Sequence, residues 1–301
     1  MDKFTQLESF VSVATLGTFS AAARQAGLAP AMMGRRIDAL EERLGVKLII
    51  RSTRKLSLTP EGHIFLEEAQ RILKDLADTE SLITQGKVKI SGPLRITAPA
   101  GFGRKHVAPL IPVFCEQYPD IQVTLNLTDR VIDLVEEQYD CAIRIGDLED
   151  SQLIAIRLAE NRRVVVASPK YLALHGTPQH PDELHRHECL SFGTQGNQHK
   201  GWLFKDNEQI VAFKPKARLS CSDGSVLLEW TLSGFGLSWR SMWEVQNDLK
   251  KGTLVSILDQ YNAPANGVYA MLPDRKHLPQ RTRSFIELLK NTYAEKQYWE
   301  E

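Results

Sequence analysis

Cysteine is scarce in this chain: 301 residues contain four, Cys115, Cys141, Cys189 and Cys221, and no two stand at C-x-x-C spacing. Neither a disulfide framework nor a redox dithiol is expected, and Cys221 reads as a buried, inert thiol. No apolar run approaches the roughly 18 residues that cross a bilayer, so no membrane partner is expected. The first residues, MDKFTQLESF, lack the apolar core of a secretion signal. A cytoplasmic location with reduced thiols is the expectation. Net charge is missing too, with 37 basic residues against 37 acidic ones. That excludes a uniformly basic chain but leaves open where the charge sits. Catalytic motifs are absent: there is no G-x-S-x-G elbow and no glycine-rich phosphate loop. His185, His187 and Cys189, with His180 upstream, crowd one stretch, but their spacing around Glu188 fits no standard zinc motif. They read as surface histidines. No metal, cofactor or enzymatic activity is expected.

What remains is an ordinary globular composition, 43% hydrophobic and 25% charged, long enough for two or three domains. Leu7, Phe10, Val11 and Ala14 follow helical spacing, and Gly17 closes that helix. Ser20 is placed to cap a second helix, Ala21–Ala26, which Gly27 ends. Pro30 opens a third, whose apolar face is Met33, Ile37, Leu40 and Leu44 and which stops at Gly45. Two short extended runs follow, Lys47–Ile50 and Lys55–Leu58, joined by the basic tip Arg51-Ser52-Thr53-Arg54. Three helices and a hairpin make a winged helix-turn-helix pattern.

Charge concentrates there. Between Arg24 and Lys55 stand eight basic residues against three acidic ones. Such clustering supplies phosphate affinity through counterion release, and a helix laid across the major groove reads base edges. Candidate DNA-contacting residues are Ser20, Pro30, Ala31, Met32, Gly34, Arg35 and Arg36 on the helices, with Arg51, Ser52, Thr53 and Arg54 on the wing. The partner is double-stranded DNA.

Thr59-Pro60-Glu61-Gly62 starts a long helix, Glu61 to Gln85. Phe65, Ala69, Ile72, Leu76 and Ile83 repeat on it as a heptad stripe, which predicts pairing of two copies on a dyad operator. Gly86 to Pro93, GKVKISGP, reads as a linker. Beyond it, strands alternate with helices: strands Leu94–Thr97, Ile121–Leu127, Cys141–Ile145 and Arg162–Ala167, and helices Lys105–Glu116 and Val131–Gln138. Further strands are expected at Cys189–Phe192, Val211–Phe213, Arg218–Cys221, Gly236–Trp239 and Val268–Leu272. Further helices are expected at Val226–Leu232, Trp243–Lys250 and Gln280 to Ala294. That order argues for an α/β unit with a mainly parallel sheet.

In such folds ligands lie at the carboxyl ends of strands. The small-residue loop after Leu94–Thr97 offers Ala100, Gly101 and Phe102, either as a plain turn or as an anion site at a helix start. Other strand ends contribute Thr128, Arg144, Gly146, Phe192, Gly193, Ser222 and Asp223. Arg144, in an apolar strand, calls for an anionic partner. That partner is either a bound effector or a structural carboxylate.

The run FSAAARQAGLAPAMMGRRIDALEERLGVKLIIRSTRKLSLTPEG resembles the N-terminal domain of LysR-type transcriptional regulators. Phe19-Ser20-xx-Ala23, Arg35, Leu40-Glu41, Leu44-Gly45, Leu48, Arg51 and Leu58-Thr59-Pro60-xx-Gly62 carry the likeness, and the order of the remainder agrees with it. Ala29, Ala31, Gly34 and Gly101 depart from it, standing where the family usually has Ser, Pro, Ser and Ser. The resemblance implies a DNA-binding domain over residues 1–60, a dimerisation helix and hinge over 61–92, and an effector-binding domain over 93–301. The last is expected to be two-lobed and periplasmic-binding-protein-like, with one lobe about 93–165 plus 267–301 and the other about 166–266. A small-molecule effector, anionic by the character of the cleft, and a homodimer assembling to a homotetramer on an imperfect dyad are also implied. Two other classes remain: a solute-binding protein or enzyme with a basic appendage, and an architectural DNA binder with an inert C-terminal domain.

Overall fold

A computed structural model describes residues 2–51, 56–83, 90–130, 132–146, 153–193, 201–273 and 278–299. The chain forms two compact units, residues 1–88 and 89–301.

The first unit opens with α1 (Lys3–Leu16), capped by Asp2 and closed by Gly17 in the left-handed region at φ 70°. Helix α2 (Phe19–Gln25) starts two residues earlier than the sequence suggested. Thr18, not Ser20, is its cap, accepting a hydrogen bond from the Ala21 amide at 3.1 Å. Thr18 has the extended backbone a cap needs, whereas Ser20 already lies inside the helix. Helix α3 (Pro30–Leu44) has proline at its first turn and Gly45 at its end, and the capping position, Ala29, gives no side-chain bond. Strands β1 (Ile49–Arg51) and β2 (Leu56–Leu58) pair antiparallel, with Ile49 opposite Leu58. Helix α4 (Pro60–Ile83) follows.

Phe10, Val13, Ala22, Met33, Ile37 and Leu40 close the core of this unit. Glu41 is buried beside them and accepts from the Leu48 and Ile49 amides at 2.9 and 3.0 Å, and from Lys47 Nζ at 2.6 Å. This one carboxylate ties the hairpin to α3. Thr59 Oγ1 donates to the Lys47 carbonyl at 2.7 Å and accepts from the Gly62 amide at 2.9 Å, which joins the hairpin to α4. A side chain at Gly62 would put its Cβ 2.1 Å from the Leu48 carbonyl oxygen, so the helix can come this close only with glycine.

The second unit holds two lobes. Strand β3 (Ser91–Ala98) begins inside the stretch expected to be linker. Helix α5 (Ala100–Phe102) runs into a π-helical turn, Gly103–Val107, and α6 (Leu110–Gln117) completes the segment. The expected helix from Lys105 thus starts five residues earlier, at the strand's edge. Strands β4 (Asp120–Leu127), β5 (Cys141–Gly146) and β6 (Ile154–Asn161) follow. The helix expected at Val131–Gln138 does not form among its described residues. The Asp133 carboxylate instead takes the Val135 and Glu136 amides at 2.8 and 3.0 Å, and Gln138 sits at φ 57°. A side chain that binds nearby amides competes with helix propagation.

Strand β7 (Arg163–Ala167) then enters the second lobe, so the crossing falls at Arg162, earlier than the expected boundary near 165. That lobe contains α7 (Pro169–His175), β8 (Ser191–Phe192), β9 (Trp202–Asp206), β10 (Gln209–Phe213), β11 (Ser220–Cys221), α8 (Gly224–Leu232), β12 (Ser238–Ser241), α9 (Met242–Lys251) and β13 (Val255–Ile257). The chain returns to the first lobe through β14 (Asn266–Leu272) and α10 (Gln280–Ala294).

The first lobe's sheet has the order β4-β3-β5-β14-β6, and the second lobe's main sheet is β12-β7-β13. Among the described strands, only the pairings of β3 with β4 and β5, and of β8 with β11, are parallel. The expectation of a mainly parallel sheet is therefore corrected. Strand β14 lies antiparallel to both β5 and β6, and both partners of β7 run against it. Strand β6 carries no regular alternation of burial, which hid it in the sequence.

Candidate nucleic-acid interface and ligand cleft

On α3, Ala31, Met32 and Arg35 are exposed, while Met33, Ile37 and Leu40 on the opposite face are buried. Ser20 and Pro30 are exposed as well, and Gly34 is half-buried with open space where a Cβ would stand. Arg35 has no hydrogen bond or ion pair among the described residues. Arg36 is different: its guanidinium donates to Ser9 Oγ at 3.2 Å and fastens α3 to α1. Arg43, also counted as basic surface, donates to Gln6 at 3.0 Å. Arg51 ends β1, and Ser52, Thr53 and Arg54 lie outside the described residues.

The stripe on α4 splits. Ala69 is fully buried, and Phe65 packs edge-on against Phe10 at 5.3 Å, so both serve this chain's own core. Ile72 is 41% exposed and Leu76 half-buried. Ile83 is the last residue of α4, and its side chain lies outside the described ones.

In the second unit the two lobes meet where α5 lies against α8. Asp129, just past β4, accepts a hydrogen bond from the Ala100 amide, so the helix start expected to greet a ligand holds the chain's own carboxylate. Burial first, and then the charge of Asp223, push the Asp129 pKa up, while the Ala100 amide, Arg144 and Arg240 pull it down. Arg144 in β5 donates to the carbonyls of Ile143 and Arg130 at 3.4 and 3.3 Å. Its pKa is lowered by burial, against the opposing pull of Asp129. Thr128 stands beside them, donating its amide to the Ala98 carbonyl at 2.9 Å. Gly146 ends β5 at φ 123°, a conformation that favours glycine.

From the second lobe, Asp223 caps α8 by accepting from the Ser225 and Val226 amides at 2.7 and 3.3 Å. The β8–β11 pairing sets Phe192 beside Cys221, and the Gly193 amide donates to the Cys221 carbonyl at 2.8 Å. Ser222 is exposed. Cys221 is half-buried, not buried, and its sulfur accepts from the Asp223 amide at 3.4 Å. Phe102 is a correction: it is fully buried, with its ring edge-on to Trp243 at 5.2 Å and to Tyr293 at 6.0 Å, so it belongs to the core. A Cβ at Gly101 would stand 3.6 Å from the same Trp243 ring.

Two residues here escaped sequence reasoning. Arg240 in β12 is buried and donates to the Gly224 carbonyl at 2.9 Å and to Glu244, while its Nε has no partner. Lys105 crosses the lobes to the Trp243 carbonyl at 2.8 Å. The rule that singled out Arg144, a cation in an apolar strand, would have found Arg240 had the strand not been ended at Trp239. The histidines stay apart from this site: His185 meets Phe213 edge-on, His187 faces the Tyr171 hydroxyl at 3.3 Å, and His180 accepts from the Asp182 amide. Among the described residues no three His, Cys, Asp or Glu side chains could hold a metal, and no helix is long and apolar enough to cross a membrane.

Comparison with known proteins places both units. Residues 4–63 match the helix-turn-helix domain of bacterial regulatory proteins of the lysR family, and residues 88–294 match the LysR substrate binding domain. The transcriptional regulator DmlR of Escherichia coli is 36% identical over 289 residues, covering 96% of this chain and 94% of its own. The transcriptional activator TtdR, also from Escherichia coli, is 36% identical over 283 residues, covering 94% of this chain and 91% of its own. The solved structure of CrgA, a LysR-type regulator from Neisseria meningitidis, superposes with a TM-score of 0.62 at 34% identity, covering 98% of this chain and all of that one. With a basic helix-turn-helix head, a two-lobed domain closed on a charged cleft, and relatives matching from end to end, this chain belongs to the LysR family of DNA-binding, effector-responsive transcriptional regulators.

Proposed function

We propose that the regulator reads an imperfect dyad through the exposed face of α3 and takes its signal as a small carboxylate held by Arg144. Arg35 supplies the charge on that face. Ala31 and Met32 offer apolar contact of the kind that thymine methyl groups accept. Ile72 and Leu76, with Ile83 further along α4, pair two copies, and a dimer of such dimers makes the tetramer. The wing residues Arg51, Ser52, Thr53 and Arg54 meet the flanking backbone, and the setting is the cytoplasm.

A single observation carries the effector reading. Arg144 is half-buried at the cleft, yet no carboxylate of the described residues comes within ion-pair distance, and its guanidinium donates to two carbonyl oxygens. A guanidinium kept from water is best matched by an anion, and a ligand carboxylate can meet it with two parallel bonds. Asp129 nearby can exchange the Ala100 amide with the arriving anion. The test is a thermal-shift panel of small carboxylates against their amides, followed by footprinting of the divergent promoter region with each hit. Arg144→Ala should lose the effector response and keep operator binding. An equal response in that variant removes Arg144 from the site.

A further inference from the structure

The β9–β10 hairpin closes on a two-residue turn, Asn207-Glu208, with φ of 47° and 66°. In such a hairpin Asp206 and Gln209 form the first hydrogen-bonded pair, and bonded pairs then alternate with unbonded ones. Val211 opposite Phe204 and Phe213 opposite Trp202 are bonded positions, while Ile210 and Ala212 take unbonded ones. The N–H and C=O groups of Ile210 and Ala212 therefore point away from β9. Among the described residues β10 has no second neighbour, whereas the outer edge of β9 meets Asn262. Ile210 is 53% and Val211 49% exposed, and Gln209–Phe213 contains neither charge nor proline. Natural sheets protect a free edge with such residues, and an edge without them is a surface on which another strand can pair.

We propose that this edge pairs antiparallel with β10 of a second copy of the chain, joining the two hairpins into one four-stranded sheet. The strand's own chemistry selects that occupant. A register that sets Val211 opposite its counterpart places Ile210 opposite Ala212 of the second copy. Both residues then direct their N–H and C=O groups at each other, and the twofold repeat gives four main-chain hydrogen bonds. A slip of one residue turns outward groups against inward ones, and a slip of two halves the bonds within β10. Charge agrees with the same register. The turn carries Asp206 and Glu208, while Lys214 and Lys216 follow the other end of the strand. Antiparallel pairing brings each acidic turn to the other copy's lysines, Glu208 towards Lys214 and Asp206 towards Lys216. Within the chain Glu208 meets Lys205 at 2.8 Å, but its side chain is 87% exposed and its carboxylate can accept from a second cation. Asp206 lies 3.6 Å from His180. The two Val211 side chains cover each other on the face they share with Phe213, Trp202 and Phe204. This contact is separate from the stripe on α4, which belongs to the other unit.

The test is oxidative cross-linking of the full chain by copper phenanthroline and dioxygen, read on non-reducing gels. Residues opposed in an unbonded antiparallel pair have Cα atoms about 4.5 Å apart, within the span of a disulfide. Val211→Cys should therefore form a linked dimer about tenfold faster than the wild type, whose four cysteines give the background. It should outpace Ile210→Cys by a similar factor, because that residue's counterpart lies two positions off. In the Val211→Cys chain, Lys214→Glu should slow linking about fivefold, and adding Glu208→Lys should restore it, as opposed charges across a strand pair require. Ala212→Pro removes an outward N–H and leaves the bonds to β9, so linking should stop. Cross-linking at position 211 reads this edge alone, whatever pairing α4 makes. A Val211→Cys rate no higher than that of the wild type or of Ile210→Cys overturns the proposal. So does a rate that Lys214→Glu leaves unchanged. Should Ala212→Pro fail to fold, as circular dichroism would show, the charge reversal decides.

Discussion

The DNA-binding head and the effector domain are held together over very different distances along the chain. In the head, Arg36 reaches Ser9 across 27 residues and Arg43 reaches Gln6 across 37. The hairpin is tied to α3 by Glu41, seven and eight residues before the amides it accepts. In the effector domain Lys105 reaches across 138 residues to Trp243, and His106 across 192 to Tyr298. Strand β14 returns from the far end of the chain to lie between β5 and β6. Local ties leave local signals, namely caps, glycines and proline at a first turn. Distant ties leave almost none. The head is therefore the readable half of the molecule, and the effector domain is the half whose site must be seen folded.

The largest expected effect tests the tightest local contact. Gly62→Ala forces a Cβ against the Leu48 carbonyl oxygen, a backbone atom that cannot swing away. A loss of about 4 kcal/mol is expected, confined to the head, from overpacking together with disruption of the Thr59 cap. Chemical denaturation followed separately in the two units measures it, and a variant within 1 kcal/mol (about fivefold in the equilibrium constant) of the wild type would show that α4 can shift.

Acid should separate the units next. His106 is buried among Phe102, Trp243, Tyr298 and Trp299, and burial, with Lys105 nearby, lowers its pKa from 6.5 to about 4. Below pH 6.5 the unfolded chain takes up this proton while the folded chain does not, so stability falls as pH drops towards 4. The loss is roughly 3 kcal/mol for such a shift. In the head, burial raises the Glu41 pKa, but Lys47 and the Leu48 and Ile49 amides outweigh it, and the net pKa is lowered. That carboxylate's contribution is present above its unfolded pKa of 4.5 and is lost only as pH falls through the lower folded value. Between pH 6.5 and 4.5 the effector domain should weaken while the head holds. His106→Phe should flatten the first slope in urea unfolding, and an unchanged slope would assign it to another group.

Neighbouring arginines give a smaller and sharper contrast. Arg36→Ala should cost the head about 1.5 kcal/mol, the worth of a hydrogen bond from a charged donor. Arg35→Ala should change stability by less than about 0.5 kcal/mol yet weaken operator binding about tenfold or more, as loss of a base or phosphate contact does. Paired melting curves and band-shift titrations separate the two, and a reversal of the pattern would move the reading face of α3. The smallest change is a gain. Ala29 leaves the start of α3 uncapped, so Ala29→Ser should add about 1 kcal/mol to the head and leave the effector domain unaltered. No rise in the head's melting temperature would mean that the α3 amides are already satisfied by water.

Much of this was visible in the residues alone. Pro30 and Gly45 bounded α3 and Thr59-Pro60 opened α4, because each acts on backbone within a few residues of itself. The heptad stripe was visible too, but its division was not. Phe65 and Ala69 obey the same spacing as Ile72, and only the packing of α4 on α1 assigns them to the chain's own core. Arg36 likewise looked like surface charge until Ser9 came beside it. By itself the sequence determined the family, the helices of the head and the basic stretch, since these are written in short-range pattern and composition. Tertiary structure alone decided that Asp129 occupies the Ala100 amide and that Arg163 lies over Trp239. Those arrangements depend on strands far apart in the chain pairing side by side, and no local pattern encodes which strand will be the neighbour.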